Sequence, residues 1–262
     1  MGIVNVTPDS FSDGGVHFDA DVAVRSALAM VEAGADILDI GGESTRPGAA
    51  PLSMDEEIAR VAPVIEGILQ RANVPISIDT YKAGVAERAI DLGAMIVNDI
   101  SALAYEPALA EVAARRGAPV ILMHNRGRSA KMYEFAEYGD VVADVGRELS
   151  ERAAAAMAAG IAKNRIVLDP GFGFAKRAEH SMSALARLAA FHALGFPVLS
   201  GPSRKSFLQA GLGERPVSDR VWGTAAAVTA SVLAGAHIVR VHDVAAMVDV
   251  VRVADAIAAA AR

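Results

Sequence analysis

The sequence contains no cysteine, and this absence removes several kinds of chemistry at once. Disulfide bonds, thiol nucleophiles and thiolate metal sites are excluded, and a reducing compartment is compatible with such a composition. We find neither a Ser-His-Asp nor a Cys-His arrangement, and neither a GxGxxG nor a P-loop sequence. The sequence therefore offers no recognisable covalent nucleophile and no standard nucleotide-binding loop.

Long apolar runs and an excess of basic residues are also missing. No apolar run approaches the roughly 20 residues that a helix needs to cross a bilayer. The first residues, MGIVNVTPDS, lack the basic and long apolar regions of a secretory signal. The net charge of −6 argues against a general nucleic-acid binder. We therefore predict a cytoplasmic protein without nucleic-acid or membrane partners, and leave open a small anionic substrate bound by clustered basic residues.

What the sequence does have is a large apolar content, 53% over 262 residues, with no sign of an internal boundary. This predicts one domain over residues 1–262 with a large core. Short runs rich in isoleucine and valine recur between turn residues, as in strands buried on both faces. The predicted strands cover residues 2–7, 37–42, 75–80, 95–100, 119–124, 166–171, 197–203 and 237–243.

Helical patterns lie between these runs, and several are rich in alanine, which favours helix. Ser53 and Glu56 have the spacing of a capping box at the start of one pattern. The predicted helices cover residues 21–32, 53–71, 83–92, 107–116, 140–159, 178–193, 219–234 and 245–261.

A glycine follows most of these helical patterns shortly before the next strand, where it can take the left-handed conformation that ends a helix. These glycines are Gly34, Gly93, Gly117, Gly160, Gly195 and Gly235. Alternating strands and helices over about 260 residues predict a (β/α)8 (TIM) barrel, with a doubly wound open sheet as the alternative.

Polar side chains stand at the ends of nearly all the predicted strands, whereas the strand starts are mostly apolar, glycine or proline. Active sites of this fold lie at the C-terminal ends of the strands. We therefore expect the site there. The side chains concerned are Asn5, Thr7, Asp39, Asp79, Thr80, Asn98, Asp99, His124, Asn125, Asp169, Ser203, Arg204, Lys205, Ser206, Arg240, His242 and Asp243.

Two chemical sets can be separated within this group. Asp79, Asn98 and Asp169 supply the acceptors and the amide that a flat, nitrogen-rich heterocycle would need, although they could instead bond to one another for structural reasons. Asp39 and Asp99 follow the strand alternation poorly, so we do not count them with this set and expect their side chains to point to the outer layer or to pair structurally.

The second set is basic. Lys205, Arg240 and His242 favour an anion site, because the ends of strands seven and eight are the usual phosphate corner of this fold. Arg46 could add charge to the same anion. Asn5 could hold Mg²⁺ through its side-chain oxygen, since magnesium prefers oxygen ligands and often accompanies phosphates.

Specific motifs occur along the chain: NVTPDSFSDGG (5–15), GGESTRPGA (41–49), ISIDTYKA (76–83), IVNDIS (96–101), LMH (122–124), LDPGFGFAK (168–176), SRKSFL (203–208) and RVHDV (240–244). They resemble, in the same order, those of the dihydropteroate synthases, the folate-pathway target of sulfonamides. The resemblance implies a homodimeric (β/α)8 barrel transferase. Its reaction joins p-aminobenzoate to 6-hydroxymethyl-7,8-dihydropterin diphosphate and releases pyrophosphate with Mg²⁺.

The resemblance also implies roles for individual residues. It places the pterin on Asp79, Asn98, Asp169 and Lys205, and the diphosphate and Mg²⁺ on Asn5, Arg240 and His242. It places p-aminobenzoate and the second loop around Thr45, Arg46, Pro47, Phe174 and Ser206. Asp13 lies in a first loop that would fold over the site, and we count it with Lys205, Arg240 and His242 as catalytic.

Two other functions are weighed against this one. A pterin-binding methyltransferase would need a similar Asp-Asn pocket but would have little use for the SRKS and RVHD motifs. A non-catalytic pterin-binding protein would not need the intact PDSFSDGG and STRPGA loops. Release of pyrophosphate separates the synthase from both.

Overall fold

Short parallel strands form the centre of the molecule. The computed structural model describes residues 1–6, 16–44, 51–128 and 131–261. Hydrogen bonds join the first six strands side by side in chain order, and the last two pair with each other. The strands are β1 (Gly2–Asn5), β2 (Leu38–Gly41), β3 (Ile76–Asp79), β4 (Ile96–Asp99), β5 (Val120–Met123), β6 (Ile166–Asp169), β7 (Leu199–Ser200) and β8 (Ile238–Val239).

Two single parallel bridges link these two groups of strands. Leu168 of β6 pairs with Val198, just before β7, and Gly2 of β1 pairs with Val241, just after β8. Backbone hydrogen bonds of 2.9 Å from Leu168 N–H to the Pro197 carbonyl and from Ile3 N–H to the Val241 carbonyl support these links. The strands therefore form a ring, which confirms the predicted (β/α)8 barrel over the open sheet.

Helices follow the strands and carry much of the apolar core between themselves and the ring. Asp140 caps the start of the fifth with its carboxylate. The helices are α1 (Val16–Glu32), α2 (Met54–Leu69), α3 (Ala83–Leu92), α4 (Ala108–Arg116), α5 (Val141–Ala158), α6 (Ala178–Ala186), α7 (Gln209–Leu212), α8 (Val221–Leu233) and α9 (Val244–Ala260).

The predicted helix boundaries hold to within a few residues in most places. Ser53 and Glu56 form the expected capping box before α2. All the glycines predicted to end helices have positive φ; at Gly93, for example, φ is 116°. Larger side chains rarely adopt this conformation, so glycine defines the ends of these helices.

One predicted helix is interrupted. The pattern over residues 178–193 divides into α6 and a separate 3₁₀ helix, Leu188–Leu194. Arg187 lies between them with φ −110° and ψ 25°, outside the helical region, and its guanidinium donates to Asp140 at the start of α5. Periodicity did not reveal the break because Leu188 and Phe191 are buried on the 3₁₀ segment as well.

No helix among the described residues is long and apolar enough to cross a bilayer. The cytoplasmic location stays a prediction.

Candidate active site

Strand register decides which polar side chains share the inside of the barrel mouth. Asn5 pairs with Gly41, Gly41 with Asp79, and Asp79 with Asn98. Paired residues of neighbouring parallel strands point to the same face, because side chains alternate along each strand. The C-terminal ends of β1, β3 and β4 therefore direct Asn5, Asp79 and Asn98 to one side. Asp169 joins them from β6, in register with Met123 of β5.

Arg240 lies at the centre of this face and binds two carboxylates. Its Nε donates to Asp39 over 2.6 Å, and Nη2 donates to Asp79 over 2.7 Å. Asn98 donates to the same Asp39 oxygen from Nδ2, over 2.9 Å. One hydrogen-bonded network thus connects the ends of β2, β3, β4 and β8.

Asp39 pairs structurally, one of its two expected outcomes, and this fully buried carboxylate orients both Arg240 and Asn98. Asp99 also pairs structurally: it accepts hydrogen bonds from Ser101 N–H (2.8 Å) and Leu103 N–H (2.6 Å), so it stabilises the turn after β4. Asp39 lies two residues before Gly41, on the same face as Asp79. Only the register reveals this relationship, and a single sequence does not supply the register.

Burial changes the proton affinity of the mouth carboxyls. Burial raises the pKa of Asp79 to about 7, and the neighbouring Arg240 opposes the rise. Burial also raises the pKa of Asp169, against the Gly171 N–H and the charges of Lys205 and Arg240. The pKa of Arg240 is raised: burial lowers it, but Asp39 and Asp79 outweigh that effect. Arg240 therefore stays charged.

Lys205 and Phe174 form a second contact within the mouth. The Lys205 Nζ lies 3.9 Å from the centroid of the largely buried Phe174 ring, which is a cation–π contact. Burial and the charge of Arg240 lower the pKa of Lys205 to about 8, while Asp169 and Asp79 raise it. Phe174 also packs in a buried apolar cluster with Met123 and Met132, so it is part of the core; its role as a wall of the site stays a prediction.

His242 is neutral and its ring contacts the neighbouring Ser203. The Ser203 Oγ accepts the His242 backbone N–H over 3.1 Å and lies 3.0 Å from Nδ1. Donation from the hydroxyl to Nδ1 would place the proton of the ring on Nε2. Burial and Arg240 lower the pKa of His242 to about 3. The ring thus presents an uncharged N–H donor.

Ser206 is the one remaining predicted residue of the p-aminobenzoate set that lies in the described part of the chain. Ser206 is exposed at the start of a 3₁₀ helix, Ser206–Leu208, immediately after Lys205. Asp13, Thr45, Arg46 and Pro47, like Thr7, lie outside the described residues.

The described side chains include no group of three or more His, Cys, Asp or Glu able to hold a metal ion. Asn5 is partly exposed at the end of β1, and its side chain has no hydrogen-bond partner among the described residues. Its amide oxygen suits a hard cation that takes its other ligands from phosphate and water, which is how magnesium is often bound.

Comparisons with known proteins agree with this geometry. The sequence profile of the family described as pterin binding enzyme matches residues 1–242. Dihydropteroate synthase of Escherichia coli strain K12 is 50% identical over 256 residues, which span 98% of this chain and 90% of that protein. The chain belongs to the dihydropteroate synthases, within the pterin-binding enzymes.

Solved structures of dihydropteroate synthases superpose closely on this fold. The Xanthomonas albilineans protein with 4-aminobenzoic acid has a TM-score of 0.92 and 46% identity, over 98% of this chain and 92% of that one. A second structure of that protein contains 7,8-dihydropteroate, with a TM-score of 0.89, 44% identity and the same coverage. The Yersinia pestis protein with a sulfonamide drug has a TM-score of 0.92 and 46% identity, over 98% and 93%.

Sequence reasoning also missed the contacts of Glu43 after β2. Glu43, from the GGESTRPGA motif, accepts hydrogen bonds from the Tyr81 hydroxyl (3.0 Å) and the Leu52 N–H (3.1 Å). It also pairs with Lys82, which in turn pairs with the buried Glu57. Glu43 thus connects the end of β2 with Leu52 and with the residues after β3. The only sequence signal for these contacts was that Glu43 lies inside the GGESTRPGA motif.

The contact with Ser203 and the low pKa of His242 predict a neutral ring with its proton on Nε2 in the free protein. A pKa of about 3, below the ordinary 6.5, means that the ring is neutral at pH 7 and gains a proton only in acid. Two-dimensional ¹⁵N–¹H NMR of histidine-labelled protein should show His242 as the Nε2–H tautomer down to about pH 5. Comparison with His242→Gln assigns the signal. A His242 ring that titrates near its ordinary pKa would contradict the assignment.

Proposed function

We propose that the chain joins p-aminobenzoate to 6-hydroxymethyl-7,8-dihydropterin diphosphate, yielding 7,8-dihydropteroate and pyrophosphate. The bond between the exocyclic methylene carbon and the diphosphate oxygen breaks, and a bond from that carbon to the amine nitrogen forms. The diphosphate keeps the electron pair of the broken bond, and the amine loses one proton. This is the synthase reaction of folate biosynthesis, a transfer of the pterinylmethyl group.

One observation carries the proposal: acceptors for a pterin and donors for a diphosphate converge on the same barrel mouth. The Asn98 Nδ2 is occupied by Asp39, so Oδ1 is left to accept an N–H from the pterin. Asp169 has one oxygen on the Gly171 N–H, at 2.7 Å, and the other can accept from the aminopyrimidine edge. Phe174 lies beside them as a wall for the flat ring.

The leaving group would meet Lys205, Arg240 and the Nε2–H of His242. Two of these donors are cationic and the third is a neutral hydrogen-bond donor. Charge that develops on the departing diphosphate is then stabilised by groups already held in place, which is an effective form of catalysis. No protein nucleophile is required, so positioning and leaving-group stabilisation supply the rate.

The dihydropterin ring can delocalise positive charge as the leaving group departs, and Asp79 and Asp169 would stabilise that charge. A cation of this kind reacts readily with water, so the site has to exclude it. The loops that carry Asp13 and Thr45–Pro47 are expected to do this, with the amine in position. These roles stay predictions.

Magnesium is the proposed cofactor, and Asn5 would hold it through the amide oxygen. Its chemistry would be to neutralise charge on the diphosphate oxygens. A single protein ligand is sufficient where the substrate itself supplies phosphate oxygens. The lack of a carboxylate and histidine cluster in the described parts of the chain fits that arrangement better than a fully protein-built cage.

The ligands of the similar structures support the proposed substrates. Relatives at 44–46% identity were solved with 4-aminobenzoic acid and with 7,8-dihydropteroate. We infer that this chain binds the same compounds, and that sulfonamides, one of which occupies the Yersinia pestis protein, compete for its p-aminobenzoate position.

The decisive test is the release of pyrophosphate from pterin diphosphate, p-aminobenzoate and Mg²⁺. The wild-type chain should release it, whereas Arg240→Ala and Asp169→Ala should each lose on the order of 10²-fold or more in turnover, because each removes a preorganised group. Arg115→Ala, on the exposed face of α4, is the matched control and should keep full activity. No release by the wild type would favour a methyltransferase or a non-catalytic pterin binder. Near-normal rates in either variant would contradict the roles assigned.

The magnesium proposal predicts that chelation by EDTA stops turnover and that added Mg²⁺ restores it. Asn5→Ala should raise the Mg²⁺ concentration needed for half-maximal rate by about tenfold, since it removes a ligand oxygen. Asn5→Asp keeps an oxygen at the position and should stay closer to the wild type. An unchanged Mg²⁺ requirement in Asn5→Ala would remove that residue from the metal site.

We also propose a homodimer built on α8 and α9, which pack against each other. Large apolar side chains on these helices are exposed, with Trp222 at 76%, Val253 at 62% and Ile257 at 52%. Val253 and Ile257 lie one turn apart on α9, and exposed apolar patches are typical of an interface. Light scattering should give the mass of two chains, and Val253→Glu should shift it toward one. A wild-type mass of one chain at micromolar concentration would refute the dimer.

A further inference from the structure

Lys176, at the end of the LDPGFGFAK segment, has a fully buried ammonium group. The residue is 1% exposed. Its Nζ donates to His124 Nδ1 over 2.7 Å, to the Phe174 carbonyl over 3.1 Å and to the Gly171 carbonyl over 3.2 Å. The His124 carbonyl oxygen is a fourth, longer contact at 3.5 Å, and none of the four acceptors is charged. Burying a charge on neutral acceptors is costly, and burial lowers the pKa of Lys176 to about 7, so its ammonium is fully charged only on the acid side of neutrality.

The segment that Lys176 closes is wound tightly. Gly171, Gly173 and Ala175 have positive φ values of 69°, 77° and 47°. A Cβ on Gly171 would lie 2.1 Å from the His124 carbonyl oxygen, so the turn presses on the end of β5. The Gly171 N–H in turn holds Asp169. The two carbonyls bound by Lys176 therefore belong to the turn that orients Asp169 and Phe174.

His124 connects Lys176 to the outer layer of the barrel. Its Nε2 lies 2.9 Å from a Glu148 carboxylate oxygen on α5 and must donate to it, which leaves Nδ1 as the acceptor for Lys176. Arg126 pairs with the same Glu148. Burial and the charge of Lys176 lower the pKa of His124 to about 4, so the ring is neutral. The network fixes the position of the lysine from outside the substrate site.

We propose that Lys176 is a positioning residue for the pterin: it holds the turn that carries Asp169 and Phe174, and in acid solution its positive charge favours the ionised form of Asp169. The inference rests on the proposed function, in which ionised Asp169 accepts N–H groups of the pterin. Lys176 would affect the affinity for the pterin without contacting it, because protein acceptors surround its Nζ.

The charge of Lys176 lowers the pKa of Asp169. Burial raises the pKa of Asp169, and the Gly171 N–H, Lys205, Arg240 and Lys176 lower it; these are the charged groups that face it from β7, β8 and its own segment. Pterin affinity is lost as pH falls through the pKa of Asp169, because the protonated acid accepts fewer hydrogen bonds. Without Lys176 that pKa is higher, and the loss begins at higher pH.

The test compares Lys176→Met, which keeps length but cannot donate, with the wild type and with Lys163→Met, an exposed lysine. The probe is 6-hydroxymethyl-7,8-dihydropterin without diphosphate, titrated by calorimetry between about pH 5 and pH 9, so that only the pterin pocket is measured. We expect Kd to rise about tenfold or more at pH 7, and the acid limb of the affinity profile to move up by about one pH unit. Lys163→Met should match the wild type.

Failure of the proposed function and failure of the role of Lys176 give different results. If the wild type fails to bind the pterin, the proposed function fails. If Lys176→Met binds like the wild type, or loses affinity equally at every pH with an unmoved acid limb, the inference is overturned and the lysine is purely structural. Circular dichroism and thermal unfolding check the fold. Should Lys176→Met not fold, Glu148→Gln, at the half-exposed end of the network, must shift the acid limb in the same direction, and an unmoved limb there overturns the inference.

Discussion

The structure depends most on the pairing of Arg240 with Asp39 and Asp79 across the barrel mouth. A buried guanidinium or carboxylate without a partner is strongly destabilising, so the three groups require one another. At β8 the ring is formed by a two-residue strand, the bridge between Gly2 and Val241, and the backbone hydrogen bonds of Met1 and Ile3 to this segment. The ion pairs from β8 to β2 and β3 therefore reinforce the ring at this short strand. The same interaction that completes the fold places a cation where a leaving group would depart.

This arrangement separates two kinds of recognition within one opening. The ends of β3, β4 and β6 present acceptors, through Asp79, Asn98 and Asp169, while the segments after β7 and β8 present donors. A ligand with N–H groups at one end and a diphosphate at the other matches both halves at once. Lys205 lies between them, where its pKa of about 8 reflects burial and Arg240 on one side and the carboxylates on the other. The chemistry thus follows from which strand delivers which side chain.

The sequence predicted the barrel well because its signals are local. The capping box at Ser53 and the helix-ending glycines are defined by neighbours within a few residues, and the structure has them where they were expected. Asp39 and Asp99 show the limit. Both follow apolar strand residues, yet Asp39 binds Arg240 in the barrel mouth, whereas Asp99 caps the turn after β4. That difference is set by register between strands, a non-local property. Likewise Lys176 bonds to His124 52 residues away, a contact that no spacing rule reveals.

Fixed geometry also explains why so many polar groups are tolerated inside this mouth. Asn98 is oriented by Asp39, Asp39 by Arg240, and the turn of Asp169 by the contacts of Gly171 with β5. The free energy needed to orient and desolvate these groups is spent during folding, so a substrate meets dipoles that are already aligned. Flexible groups would have to reorganise as charge separates, which would cost rate. A layer of residues outside the substrate site is then a requirement of catalysis and not only of stability, since a positional error of about 1 Å can lower the rate on the order of 10²-fold.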